Sequence, residues 1–160
     1  EFTPRNWNAR SAGGAVANFW RNLVGGFATS RFHRPPSGQG LNDLTRRQLR
    51  AVRTWQQHYD VFRSVPDSEH QLLGERQKNE AYACHVPGEA WTVFFPAPGE
   101  VTLRVGGAAE ALTARWARLD QGGWREPGPV TPREGVVRLA TPAETGMWLV
   151  VIASPDDAGP

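Results

Sequence analysis

Cys84 and His85 place a thiol beside an imidazole, the residue types that cysteine-dependent nucleophilic catalysis uses. They fall in a short run that reads as a strand. Consecutive side chains leave a strand on opposite faces, so the two cannot form a catalytic pair locally. Cys84 is expected to be a small core residue instead. His33, His58 and His70 are scattered, with no His-Glu-x-x-His or similar ligand spacing. With one Cys, neither an internal disulfide nor a multi-thiolate zinc site can form. No metal and no cofactor is expected. Gly106-Gly107 and Gly122-Gly123 read as turns, because a phosphate-binding loop needs a helix and Lys-Ser/Thr after its glycines. Aromatic stacking is the remaining chemistry. Trp91, Trp116 and Trp148 lie within apolar runs and are expected to fill a core. Trp124 follows two glycines in a turn, and is the candidate exposed binding platform.

The elements that position these residues change character near Pro66. Before it, Ala12, Val16, Phe19, Trp20 and Leu23 recur at helical spacing, with Ser11 as N-cap and Gly25-Gly26 as stop. Residues 27–32 read as one short strand, followed by a loop through Pro35-Pro36 and Gly38 to Gly40. Asn42 caps a second helix predicted to run to Phe62. Its buried stripe is Leu44, Leu49, Val52, Trp55, Tyr59 and Phe62, with Arg46, Arg47, Arg50 and Arg53 mostly outside it. After Pro66, six short runs rich in Val, Trp, Phe and Leu recur between Gly/Pro punctuation, at 80–85, 90–95, 100–105, 112–119, 136–140 and 148–153. Trp91, Val93 and Phe95 alternate with Thr92 and Phe94, and Pro96 to Gly99 reads as a hairpin connection. The pattern predicts an antiparallel β-sandwich. The fold class is α+β.

The chain has 160 residues, about one ordinary domain, with a globular composition of 39% hydrophobic and 21% charged residues. No apolar run is long enough to span a membrane, so no membrane partner is expected. The net charge of +2 hides a split. Residues 1–63 carry ten Arg against Glu1, Asp43 and Asp60, a balance of +7, whereas 64–160 balance at −5. Two units that attract each other would account for this. The Arg residues form no polybasic block, so nucleic acid is not an expected partner. The sequence opens at Glu1 without a signal-peptide pattern, which leaves the compartment open and reads as a C-terminal fragment.

Phe19-Trp20-Arg21-Asn22-Leu23 with Gly25-Gly26, then Ser30-Arg31-Phe32-His33-Arg34-Pro35, form one set of motifs. Ala90 to Pro96, Gly99-Glu100-Val101-Thr102-Leu103, Arg115-Trp116 and Gly146-Met147-Trp148-Leu149 form another. Together the chain resembles the C-terminal part of glycoside-hydrolase-like (β/α)8-barrel proteins that end in a collagen-binding-type β-sandwich. The resemblance implies that residues 1–66 are an incomplete barrel segment. In it 11–24 is the seventh helix, 27–32 the eighth strand and 43–62 the closing helix. It implies an accessory β-sandwich over 67–154 and a disordered tail at 155–160.

Barrel sites are built at the C-terminal ends of the strands. The resemblance therefore makes Arg31, His33 and Arg34 candidates to line a substrate cleft. Glycoside hydrolysis needs two carboxyl groups flanking the bond. Asp43 and Asp60 sit near helix ends, which leaves Glu1 as the one weak catalytic candidate and no complete pair. The expected function is that of a non-catalytic C-terminal fragment of a glycoside hydrolase, whose sandwich supports the barrel. The alternative is a carbohydrate- or collagen-binding module. Expected partners are the missing N-terminal barrel of the same chain and a polysaccharide. A severed barrel slice should leave Val16, Phe19, Trp20 and Phe27 exposed as an orphan apolar patch.

Overall fold

The computed structural model describes residues 11–27, 40–74, 81–107 and 111–155. They form two helices and two antiparallel sheets stacked as three layers. Helix α1 spans Ala12–Val24 and α2 spans Asp43–His58. Both caps are as the sequence predicts: Ser11 Oγ accepts from the Gly14 N–H at 3.0 Å, and Asn42 Oδ1 from the Thr45 N–H at 2.8 Å.

The larger sheet contains β1 (Val65–Pro66), β3 (Tyr82–Val86), β4 (Ala90–Phe95), β6 (Leu112–Arg118), β7 (Gly123–Trp124), β8 (Gly128–Val130) and β10 (Trp148–Ala153). Its order is β1-β3-β4-β10-β6-β7, with β8 also paired to β6. The smaller sheet is β2 (Leu73–Gly74), β5 (Glu100–Arg104) and β9 (Val136–Ala140), with β5 central. Pro96 to Gly99 is therefore not a hairpin loop. It carries the chain from β4 in one sheet to β5 in the other, and β5 pairs with β2 and β9.

The two central strands β4 and β10 are buried on both faces. Trp91, Val93, Phe95, Trp148, Val150 and Ile152 meet Val101, Leu103, Val137 and Leu139 of the smaller sheet in the sandwich core. Phe94, Leu149 and Val151 leave the opposite face and meet the helices. The smaller sheet is covered on one side only, so Glu100, Arg104 and Arg138 alternate outward between buried neighbours.

The helices are covered by the larger sheet. Val16 and Phe19 are buried and Trp20 is 0% exposed, against the expectation of an orphan patch; Phe27 alone of the four is exposed, at 64%. The physical reason is that the outer face of the larger sheet is itself apolar and takes up the stripe of α1. Phe27 follows α1 outside any strand, and 28–32, the rest of the expected strand, lie outside the described residues. Gly26 lies at φ 77°, and a Cβ there would stand 2.7 Å from Pro66 Cγ, so α1 ends flush against β1.

Helix α2 is shorter and rotated relative to its predicted stripe. It stops at His58 because Tyr59 turns to extended backbone. The buried face is Thr45, Gln48, Ala51, Trp55 and Tyr59, while Leu49 is 38% and Phe62 is 92% exposed. Polar bonds choose this face. Gln48 Oε1 accepts from Trp20 Nε1 at 2.8 Å, and its Nε2 donates to the Leu119 carbonyl at 2.8 Å. Trp55 Nε1 donates to Thr92 Oγ1 at 3.0 Å. A leucine at position 48 would leave two buried groups unpaired, which costs more than exposing Leu49.

Candidate functional site

Glu1, Arg31, His33 and Arg34 lie outside the described residues. Trp124 is described, and its surroundings differ from the expectation. The short strand β7 pairs it with Ala117, and its ring meets His58 of α2 edge-on at 5.9 Å between centroids. Trp124 is half-buried and its indole N–H has no partner among the described residues. The turn glycines do not expose it, because β7 folds back beneath α2.

The most exposed aromatic among the described residues is Phe62, ahead of Phe27. Asp60 Oδ1 accepts from the backbone N–H of Phe62 at 3.0 Å and of Arg63 at 3.3 Å, a local Asp turn that throws the ring outward. Arg63 then forks onto Glu89 in the β3–β4 turn; its Nη1 donates to Oε2 at 2.8 Å and its Nη2 to Oε1. This pairing holds the Glu89 carboxyl below its ordinary range and raises Arg63 further. A cleft of about 560 Å³ opens here between α2 and the sheet, lined by Gln56, Gln57, Asp60, Phe62 and Glu89. The signal that could have found Phe62 is Asp60 two residues before it, a residue type that ends helices by bonding the backbone ahead.

Three carboxylates away from this cleft are engaged in structure. Asp67 accepts from the Gln71 and Leu72 N–H groups, Glu100 pairs with Arg138, and Asp120 with Arg118. Cys84 and His85 diverge as the strand period requires. Cys84 is buried and accepts from the Tyr59 hydroxyl at 3.3 Å, and burial pushes its thiol up. Among the described residues no group of three or more His, Cys, Asp or Glu is placed to hold a metal ion. The chemistry this surface offers is contact: an exposed ring, amides and a fixed ion pair beside a cleft.

No protein-family model and no curated protein matches the chain. Solved structures do. One, described as a glycoside hydrolase, superposes with a TM-score of 0.66 at 10% identity, over 91% of this chain and 37% of that one. A glycoside hydrolase family 5 protein from Bacteroides vulgatus superposes with a TM-score of 0.69 at 13% identity, over 96% of this chain and 38% of that one. At these identities the likeness shows the fold: two helices and two antiparallel sheets matching part of such structures. The chain spans well under half the length of either.

Proposed function

We propose that this chain is the C-terminal portion of a glycoside-hydrolase-like protein and is not itself the catalytic part. In this reading residues 1–66 close a (β/α)8 barrel, and 67–154 form an accessory sandwich that supports it. The observation that carries the support role is the aromatic seam between helices and sheet, which buries Val16, Phe19 and Trp20 in place of the orphan patch expected of a severed barrel slice. Trp20 meets Trp55 edge-on at 5.7 Å, Trp55 stacks on Tyr59 at 5.3 Å, and all three rest on Phe94, Leu149 and Val151. Helices so anchored would transmit the rigidity of the sandwich to whatever else packs on them. The superpositions add support, since they take in helices and sandwich together.

Two measurements test it. The 160-residue chain should release no reducing sugar from a panel of glycosides, because in this reading the carboxylate pair that cleaves the bond belongs to the upstream barrel. In the longer reading frame, Trp55→Ala should lower the unfolding temperature of the upstream part together with that of the sandwich. Independent melting of the two parts would refute support as the role.

The second reading, a binding module for polysaccharide or collagen, draws on Phe62, whose exposed ring stands beside an open cleft. Under that reading Phe62→Ala weakens retention on the insoluble polymer by about 1 kcal/mol or more, and Trp124→Ala does so less.

A further inference from the structure

The solvent face of α2 carries Arg46, Arg50 and Arg53 in one line, four and three residues apart. All three are exposed, and no described residue bonds or pairs with their guanidinium groups. The helical rise spaces them by about 6 Å and about 4.5 Å along the axis. Asp43, in the first turn, is the one acid of the helix. Arg47 stands beside the line, with its stem over Gly122 in the β6–β7 turn. Like charges three and four residues apart oppose one another on a helix surface, so the line weakens the helix that carries it unless an anion lies along it. The apolar face of α2 is already covered by the sheet, so this is not a helix made to lie in a membrane surface.

We propose that the Arg46–Arg50–Arg53 line binds an acidic polysaccharide, a chain whose uronate carboxylates recur every few ångströms. Guanidinium forks take carboxylates in pairs of parallel hydrogen bonds and shed their water more readily than ammonium groups. Single-stranded nucleic acid, the other flexible polyanion, is held by aromatic platforms beside its basic groove. No aromatic ring stands among the three arginines: Trp55 and Tyr59 are buried on the opposite side, and Phe62 lies past the C-terminal end of α2. The need for an anion stands on the charge line alone; the choice of a saccharide over duplex DNA rests on the proposed function.

The test is affinity electrophoresis of the 160-residue chain in gels holding polygalacturonate or neutral dextran, with a DNA duplex titrated separately. Polygalacturonate should retard the chain and dextran should not, with affinity falling about tenfold from about 50 to about 200 mM salt. The triple variant Arg46→Gln, Arg50→Gln, Arg53→Gln keeps good helix formers and should lose about tenfold or more in affinity while its unfolding temperature does not fall and rises slightly as the like charges are removed. Should the triple variant not fold, single changes matched in charge decide. Arg50→Gln should weaken binding about threefold, and Arg133→Gln, on another surface, less than about twofold. No retardation, equal retardation by dextran, tighter binding to DNA, or equal losses for Arg50→Gln and Arg133→Gln would each overturn the proposal. None of these outcomes bears on sugar release or on support of an upstream barrel, so this proposal and the proposed function fail separately.

Discussion

Gln48 is the residue on which the helix–sheet seam turns. Its amide joins Trp20 of α1 to the Leu119 carbonyl at the end of β6, so one side chain ties three elements. Gln48→Leu would leave a buried indole N–H and a buried carbonyl unpaired, at about 1–3 kcal/mol each. Urea unfolding should show a loss of about 2–5 kcal/mol, although the substitution is more apolar. Cys84 should be inert. Its thiol is buried and its ionisation is opposed by burial, so a thiol reagent should react only in denaturant; fast reaction of the native protein would contradict the geometry. His58 supplies the pH dependence. Burial first, and then the positive Arg115, lower its pKa in the folded state. The unfolded chain therefore takes up a proton near pH 6.5 that the folded one refuses. The stability contributed by neutral His58 is fully present above that pH and declines as pH falls from there toward the lowered folded value. Unfolding temperatures measured across this window should fall with acid in the parent, and fall less in His58→Gln.

At the scale of elements, α2 combines a legible start with an end that the residue pattern disguises. Asn42→Ala should cost about 1 kcal/mol, since the Thr45 N–H loses its partner in the first turn. Phe62→Ala should leave stability within about 0.5 kcal/mol, because the ring is 92% exposed. The same change in a residue of the predicted buried stripe would cost about 3–5 kcal/mol. The cost of Phe62→Ala in chemical denaturation therefore separates a helix ending at His58 from one continuing through Phe62. The period of a helix reports that one side is apolar, and Phe62 fits that period. It does not report where Asp60 breaks the backbone pattern, which depends on a side-chain bond to the N–H groups of residues 62 and 63.

For the whole molecule, β4 and β10 belong to both cores, so neither layer can be lost without exposing the strands of the other. Heat should unfold helices and sheets in one transition, with far-ultraviolet dichroism and Trp fluorescence changing together. Trp20→Ala should lower that single transition by about 3–5 kcal/mol. Two separated transitions would show that the seam is not shared. The charge split between the two parts of the sequence has little bearing on this cohesion. The seam is apolar, and the ion pair of Arg63 with Glu89 sits exposed at its rim. Surface pairs of this kind contribute about 0–1 kcal/mol and are screened by salt. Docking of the helices should therefore persist at about 1 M salt, as near-ultraviolet dichroism would show.

Local chemistry settled where both helices begin and that six runs after Pro66 are strands, but not the short strands at 65–66, 73–74, 123–124 and 128–130. The runs at 90–95, 136–140 and 148–153 are strands over those same residues, and Ser11 and Asn42 cap the helices they precede. Capping, period and turn composition act within a few residues, so one sequence suffices to read them. Even the two-sided burial of β4 and β10 has a local trace, because Trp91 to Phe95 and Trp148 to Ala153 are nearly continuous apolar runs. What tertiary structure alone decided is which apolar surface meets which. The helices cover the larger sheet, Pro96 to Gly99 changes sheets, Trp124 tucks against His58, and Phe62 and the three arginines of α2 face outward. The reason is physical: the hydrophobic effect is non-directional and rewards burial against any apolar partner. Side chains such as Gln48 and Thr92, bonded across the chain, single out one arrangement among those that bury similar area.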